Sequence, residues 1–517
     1  MKFLGISYEP SLRRSGGTTV SRVCSALALL LALLVLLYLC AVSLTETVDM
    51  NTNNPAWENV ETRTDSFLCN VLSFAVLTAL TVGWLLLCDR APAWLVTLLT
   101  LTAVTAFGVC FVLSSQSAPT HDSYLVSNAA YLASENDPSG LSGEYFRRFP
   151  FQLGYVLWSE GWIRLFGTGN NYLSIEILNV VCLSVTYFAI LRSVRLLFGD
   201  GRAFRACAFL MLLCLQPILF CTFTYGNLPS LMFSALAIWQ VLSMNGERTD
   251  LLHGIEAALL IGLAVAIKKN SLIVAVALII VMLIRAIRRK NATETAAALV
   301  CVLLCAVSVW GLPLAAQAHY ERRFNLKFGK GIPMSSWAAM GLNEAYIAPG
   351  WYESRYTVVN FSECNGDHDE AHRRSMEVVR ERIGFFSKNP DYATEFFTAK
   401  VRSQWNEPSF QSLWTNQVRG QYAEKGALAS WFCSSHEAQV KSFMNATLQF
   451  VYVFAAIGAF LLLRRRRIED ALFPACFLGG FLYHLVFEAK SQYIIPYLVL
   501  LLPLAAYGIA GVFVKRR

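Results

Sequence analysis

The 517-residue chain is short of charge. Asp, Glu, Lys and Arg make up 15% of it and hydrophobic residues 55%, well below the roughly 25% charged content of soluble domains. A water-soluble globule is excluded. Cysteine is present fourteen times but never in the paired Cys and His spacing of a metal site. All but Cys364 and Cys433 lie in apolar runs, where cysteine behaves as a small hydrophobe. Interleaved basic and aromatic residues of the kind that bind nucleic acid are missing. So is a pair of matching halves such as a repeat-built transporter shows.

What the chain has is long apolar runs and a mean hydropathy of +0.46. Runs long enough to cross a hydrocarbon core of about 30 Å predict about twelve spanning helices. They fall near Val23–Leu44, Phe67–Cys88, Trp94–Leu113, Tyr172–Leu191, Ala206–Phe223, Leu228–Met244, Leu251–Ile267, Leu272–Ile287, Ala296–Ala315, Thr447–Leu463, Ala471–Phe487 and Ile494–Phe513. The first is long, leads into further spans and lacks a small-residue cleavage motif, so it reads as a permanent helix. The expected organisation is three helices over 1–113, an external loop over 114–171, six helices over 172–315, an external domain over 316–446 and three helices over 447–517.

Sidedness follows from arginine and lysine. Lys2, Arg13, Arg14 and Arg22 precede the first span and place it N-terminus in. Alternation then puts Arg90, Arg192, Arg195, Arg202, Arg205, Arg248, Arg285, Arg288, Arg289, Lys290, Arg464 to Arg467, Lys515, Arg516 and Arg517 on the same inner side. The loop from Thr45 to Ser66, with Glu46, Asp49, Glu58, Glu61 and Asp65 against Arg63, falls outside. Both termini are therefore predicted to be cytoplasmic, and the net charge of +8 reports topology and contact with anionic lipid.

Three outer segments carry unusual residues. Thr120-His121-Asp122-Ser123-Tyr124 and Glu144-Tyr145-Phe146-Arg147-Arg148-Phe149-Pro150 put carboxylates and an arginine pair just after an apolar run. Ionisable groups between apolar helices are expensive, which makes them a site hypothesis. Asp122 also suits a helix cap, and His121 an incidental loop position. Phe151 to Phe166 is apolar but broken by Glu160 and Arg164, an i,i+4 pair suited to a helix surface. With Tyr155, Trp158, Trp162 and Phe166 it predicts an interfacial helix; as a span it would invert every later connector. Lys268 and Lys269 break the charge rule at an external turn, either as phosphate partners or by reaching lipid headgroups. Glu488, Lys490 and Tyr493 return charge and a phenol to the outer end of the last span, as a mutual pair and helix anchor or as part of the same site. In the external domain, Asp369 to Phe386 reads as a solvated charged helix. Phe396 to Trp405 follows at helical spacing and stops at Pro408. Cys364 and Cys433 share this domain and could bridge in an oxidising compartment if geometry allows.

Taken together, these positions resemble the GT-C superfamily of membrane glycosyltransferases, in particular the protein O-mannosyltransferase and aminoarabinose-transferase-like branch. Asp122 is similar to that branch's acidic residue of the large external loop, and Glu144 to Pro150 with Gly154-Tyr155 to the pattern after it. Gly262-Leu-Ala-Val-Ala-Ile-Lys268 and Glu488-Ala-Lys-Ser-Gln-Tyr493 resemble two further motifs. Pro333 to Gly341, Gly350-Trp-Tyr352 and Ser403 to Pro408 are similar to a bacterial group of uncharacterised relatives. Two departures stand out: the acidic loop follows the third span and not the first, and Gln492 stands where many relatives carry arginine.

The resemblance implies an all-α polytopic GT-C-like fold of the bacterial plasma membrane. It implies sugar transfer from a polyprenyl-phosphate donor to an external hydroxyl of a glycan, lipid or protein, with inversion. Asp122 would act as general base. His121, Tyr145, Arg147, Arg148, Lys268, Lys269, Glu488, Lys490 and Tyr493 would bind substrate, the cations stabilising the leaving phosphate. No cofactor is predicted, no metal ligands are read, and dependence on a divalent metal stays open; membrane lipids are expected partners and nucleic acid is not. Two other classes compete. A ligase- or polymerase-like transferase would rest on His368, His372, Arg373 and Arg374, and a secondary transporter on charges inside its spans, for which only Glu176 and Glu256 offer themselves.

Overall fold

In hydrocarbon a backbone must satisfy its own hydrogen bonds, and the long apolar runs do so as helices. The computed structural model describes residues 19–50, 58–167, 172–199, 201–245, 249–289, 292–419, 425–465 and 467–513. Lys2, Arg13, Arg14, Arg248, Lys290, Arg466, Lys515, Arg516 and Arg517 lie outside the described residues. The chain opens with α1 (Thr19–Thr45), α2 (Phe67–Leu87) and α3 (Ala93–Ser115), then α4 (His121–Ser134), α5 (Glu144–Arg148) and α6 (Leu153–Phe166) of the first large connector. Its middle forms α7 (Tyr172–Phe198), α8 (Arg202–Leu213), α9 (Leu215–Leu219), α10 (Asn227–Ser243), α11 (Asp250–Ile267), α12 (Leu272–Arg289) and α13 (Ala292–Phe324). The second connector holds α14 (Met334–Gly341), α15 (Val358–Glu363), α16 (His368–Lys388), α17 (Pro390–Trp405), α18 (Ser412–Arg419) and α19 (Ala427–Ser430). Last come α20 (Glu437–Leu462), α21 (Leu472–Val486) and α22 (Ile495–Val512).

The fold is an all-α polytopic membrane bundle, with fewer full-length spans than the apolar runs suggest. Nine helices among the described residues are long and apolar enough to cross a membrane, and α8 with Leu215–Thr222 makes a tenth if counted as one span bent by 50°. The other two expected spans, α10 and α21, have 17 and 15 residues. At 1.5 Å per residue these are about 25 and 22 Å long, short of a full hydrocarbon core. Both still run between the same two ends of the bundle. The turn into α10 sits on the carbonyl of Ile267, while its closing carbonyl of Val241 accepts from Arg285 Nη1 at 2.6 Å. Helices α20 and α22 meet through glycine: a Cβ on Gly458 would lie 2.1 Å from the Leu504 carbonyl oxygen, so no larger residue fits this crossing.

Among the described residues, Arg202, Arg205 and Arg467 of the expected inner connectors cap helices. Arg205 donates to the Cys88 and Asp89 carbonyls at 2.6 and 2.9 Å, Arg467 to that of Leu197 at 3.2 Å, and Arg202 to that of Phe513 at 2.6 Å. Each cation meets the carbonyl-rich end of a helix, where the dipole favours it.

The opposite end holds the two large connectors and one surprise. Thr45 to Ser66, read as an exposed loop, contains an antiparallel hairpin of β1 (Glu46–Met50) and β2 (Val60–Thr64) in register Thr47↔Arg63. A lone hairpin is marginal in water, and this one is docked. Val48 N donates to the Asn406 carbonyl at 3.1 Å, Asn406 Nδ2 to that of Glu46 at 2.7 Å, and Lys441 pairs with Asp49 at 2.6 Å. Asp65, just beyond the hairpin, accepts from Thr47 Oγ1 and Asn445 Nδ2, each at 2.8 Å.

Helix α6 is not simply interfacial. Its last turn is exposed, but Tyr155 is fully buried and the helix packs against α4, α11 and α13. Glu160, expected on a helix surface with Arg164, is 2% exposed. Its carboxylate takes Arg164 Nε at 2.7 Å, Arg323 Nη1 at 2.6 Å and the Tyr320 hydroxyl at 2.6 Å, tying α6 to α13. Arg323 also reaches the Ala133 carbonyl at 2.5 Å, which adds the end of α4. The cysteines of the external domain are apart: Cys364 packs with Ile332 and Phe361, Cys433 with Phe111 and Leu413, and both are free thiols.

Burial alone would raise the Glu160 carboxyl, but bonds from Tyr320, Arg164 and Arg323 outweigh it and hold it below its ordinary 4.5. A lowered folded value means that the network stabilises fully above 4.5 and that this contribution is lost as pH falls through the folded value. Glu160→Gln strands two guanidinium groups and is expected to cost about 3 kcal/mol, the low end for breaking a buried pair, because Arg164 is partly solvated. Thermal unfolding in detergent should show a lower Tm for the variant at neutral pH, with the gap narrowing as the wild type is acidified below 4.5.

Candidate active site

Three chain reversals and one extended segment at the connector end converge on one cavity of about 610 Å³, within the range of small-molecule sites. The first follows α3, where Gln116 takes a left-handed conformation (φ 46°) and turns the chain. Thr120 then caps α4, its N–H donating to Ser123 Oγ at 3.2 Å. With the cap filled by its neighbours, Asp122 in the first turn is free of that task and opens onto the cavity.

The second reversal is the turn between α11 and α12. A Cβ on Gly154 would lie 1.9 Å from the Ala266 carbonyl oxygen, so α6 passes directly against the chain two residues before Lys268. Lys268 leaves α11 in extended conformation and holds its ammonium over the rings of Tyr225, 4.5 Å from the centroid, and Tyr493, 5.4 Å away. Such contacts stabilise a partly desolvated cation but use none of its N–H donors. Lys269 lies over Phe151 at 4.9 Å.

The third reversal joins α21 to α22. Glu488 Oε2 accepts from the Tyr493 hydroxyl at 3.0 Å, and its carbonyl from His484 Nδ1 at 2.7 Å. Lys490 forms an ion pair with Glu58, which reaches the cavity from the fourth element, the segment beside β2. Gln411 Nε2 holds the same Glu58 oxygen at 3.1 Å.

The electrostatics separate these groups. Burial raises the Asp122 carboxyl above its ordinary value, against the pull of Lys490, His121 and Lys268. Burial likewise raises Glu488, opposed by Lys490 and the Tyr493 bond. Burial presses Lys268 down to about 8, with Glu488 and Asp122 pulling upward. Lys490 is raised overall, because Glu58 and Glu488 outweigh its burial. Lys490 is thus a compensated cation and Lys268 one with spare capacity.

Of the residues singled out in the sequence, His121, Asp122, Tyr145, Lys268, Lys269, Glu488, Lys490 and Tyr493 line this cavity. Arg147 and Arg148 do not. Arg147 is exposed beside Glu144 at 3.0 Å, and Arg148 contributes its carbonyl to Ile332 N at 2.9 Å. His368, His372, Arg373 and Arg374 are not lining residues either: His372 Nδ1 meets Ser335 Oγ at 2.9 Å, and both arginines pair with Glu370 along α16. Glu58 and the aromatic wall of Trp337, Tyr346, Tyr352 and Trp414 are additions. Trp337 and Tyr352 lay within quoted motifs, whereas nothing local marked Glu58. Among the described residues no three His, Cys, Asp or Glu side chains converge as a metal site requires.

Residues 154–311, from α6 into α13 and including the Lys268 turn, match the family model for dolichyl-phosphate-mannose-protein mannosyltransferase. Curated proteins give no match. Two solved structures of the oligosaccharyltransferase of Archaeoglobus fulgidus align with the chain. One holds an inhibitory peptide and a dolichol-phosphate, and the other is tethered to an acceptor peptide with an NVT sequon. Each shows 12% identity and a TM-score of 0.43 over 82% of this chain and 50% of the other, so the chain spans about half their length. Through residues 154–311 the chain is thus similar to a family of membrane glycosyltransferases, and the all-α membrane fold agrees with that similarity.

Proposed function

We propose that the protein transfers a sugar from a polyprenyl-phosphate donor to an acceptor hydroxyl, with Asp122 as general base. The reading is carried by one observation: Asp122 and Lys268 face the same cavity, and neither side chain has a hydrogen bond or ion pair among the described residues. Elsewhere buried charges are answered, as Glu160 and Lys441 are. Asp122 is exposed at the cavity and Lys268 half-buried, so a substrate bringing a hydroxyl and a phosphate would meet a carboxylate and an ammonium that no protein partner occupies. The matching family's own description names a dolichyl-phosphate sugar donor, which fits the cation. The alternation of basic connectors supports a reading in which this end of the bundle faces outside a cell membrane and both termini are cytoplasmic.

In the proposed step the acceptor oxygen attacks the anomeric carbon as the carbon–oxygen bond to the lipid phosphate breaks on the opposite face, so the centre inverts. Asp122 takes the hydroxyl proton. The phosphate leaves as a weak base and needs no proton, only the positive field of Lys268 with Lys269 and Lys490. Glu488 and Tyr493 fix the segment that carries Lys490 and supply polar contacts to the sugar. The scheme calls for no cofactor. Sugar class and acceptor are set by the aromatic wall, where Tyr346 is 92% exposed at the cavity.

Asp122→Asn is expected to lower transfer from a radiolabelled polyprenyl-phosphate sugar by about 10²–10⁴-fold, the usual worth of a general base, while binding of polyprenyl phosphate persists. Transfer at the wild-type rate would remove Asp122 from this role; chelator added in parallel reads metal dependence.

The pH profile offers a separate check. The base works deprotonated, so kcat/KM should rise with pH through the raised Asp122 value and fall as Lys268 loses its proton near 8. In Lys268→Met the alkaline limb should move away from 8, because its titrating group is gone. The acid limb should move up, because a charge that lowers Asp122 is gone too. Limbs that stay where they are in the variant would exclude both assignments.

A further inference from the structure

The stretches Pro333–Gly341, Gly350–Tyr352 and Ser403–Pro408 contribute only Met334, Trp337 and Tyr352 to the cavity wall. Yet all three meet at one place, the segment between α21 and α22 that carries Glu488 and Lys490. Gly341 lies against it so closely that a Cβ would be 2.4 Å from the Phe487 carbonyl carbon. Gly350 accepts from Ala489 N at 2.8 Å, and Trp351 packs on Ala489. From the third stretch, Gln404 Nε2 reaches the Lys490 carbonyl at 3.4 Å and Glu407 accepts from Ser491 Oγ at 3.0 Å.

Lys400 on α17 is at the centre of this junction. It is 0% exposed. Its ammonium donates to the Leu485 carbonyl at 3.1 Å, to that of Phe487 at 2.9 Å and to that of Gly341. Three donors meet three carbonyls, two of them closing α21, where a cation also suits the helix dipole. Gly350 has φ +76°, and a Cβ there would stand 2.5 Å from Lys400 Cε, so its glycine leaves room for the side chain. A buried ion is seldom the cheapest way to fill a core, and an apolar residue of similar volume is often as stable. Here the ion does what an apolar residue cannot: it grips backbone on the N-terminal side of Glu488, while Gly350 grips it on the other.

We propose that Lys400 is a positioning residue of the transferase site, holding the Phe487–Ala489 backbone and through it the side chains of Glu488 and Lys490 against the donor's sugar phosphate. The inference rests on the cavity being the donor site.

A double-mutant cycle on the full chain in detergent tests it, with polyprenyl phosphate as the probe and intrinsic tryptophan fluorescence as the readout. Lys400→Met and Lys490→Gln are each expected to raise Kd about tenfold, and the double variant to stay within about twofold of the weaker single, because one acts through the other. Singles whose effects multiply to about a hundredfold, or a Lys400→Met protein that binds as the wild type does, would overturn the proposal. If Lys400→Met yields no folded protein, Ser491→Ala takes its place in the cycle. It removes one hydrogen bond from the same segment, and the same two outcomes decide. A wild type that does not bind polyprenyl phosphate overturns the donor reading and this inference together. Binding with a multiplicative cycle overturns this inference alone.

Discussion

An ion taken from water into protein at the edge of a hydrocarbon slab must be met by a partner, and this constraint sorts the charges of the chain. Glu160 has three donors, Lys400 three carbonyls, Lys441 the carboxylates of Asp49 and Glu437, and Asp470 the guanidinium groups of Arg465 and Arg467. These charges build the fold. Asp122 and Lys268 are not matched in this way: Asp122 is exposed at the cavity and Lys268 half-buried, and the surrounding protein still shifts both from their ordinary values. With charge so scarce, a carboxylate and an ammonium without protein partners at one cavity are the groups that the proposed reaction assigns to a substrate.

One device recurs at both ends of the bundle. Each helix ends with carbonyls that lack an intrahelical partner, and in a chain with little water at hand these fall to cations from other helices. Arg205 serves α2, Arg285 serves α10, Arg467 serves α7 and Lys400 serves α21. At the inner end the same arginines satisfy the charge rule, so one residue type carries topology and stability together. At the cavity end the equivalent cation is a lysine with no aqueous face, and what it caps is the segment leading to Glu488. The capping that closes the bundle on one side organises a site on the other.

Much of the site was legible because charge is rare here. Asp122, Lys268 and Glu488 each follow the end of an apolar run, and alternation of basic connectors puts those ends on one face. Residues at three helix ends on one face of a tight bundle have few places to go except towards each other. Glu58 was not legible, since an acid in an acidic loop has no local mark. Its place depends on a hairpin held by contacts such as Asn406 Nδ2 to the Glu46 carbonyl, 360 residues apart in sequence. Lys400 looked like one more basic residue in an alternating helix, because burial by a distant segment leaves no trace in spacing. The fifth and eleventh runs were overestimated for a related reason: hydropathy continues into Phe223 and Phe487, where the chain has already left the helix. Arg147 and Arg148, prominent as a pair, are not among the residues that line the cavity, which three-residue context could not reveal.

The charge balance of the cavity bears on why two lysines stand there in different states. It contains Glu58, Asp122 and Glu488 against Lys268, Lys269 and Lys490. On the proposed reaction the total does not change: one negative charge leaves Asp122 as it takes the proton, and one appears on the departing phosphate. Charge therefore migrates across the site, and catalysis depends on a cation that follows it without reorganising. Lys490, locked to Glu58, shares its field with a fixed partner. Lys268 is held by the faces of Tyr225 and Tyr493, which steady the ammonium without claiming its hydrogens. Its pull on Asp122 before the reaction becomes a pull on the phosphate after it. An aromatic cradle suits that role better than a carboxylate would, because a carboxylate partner would itself repel the charge as it arrives.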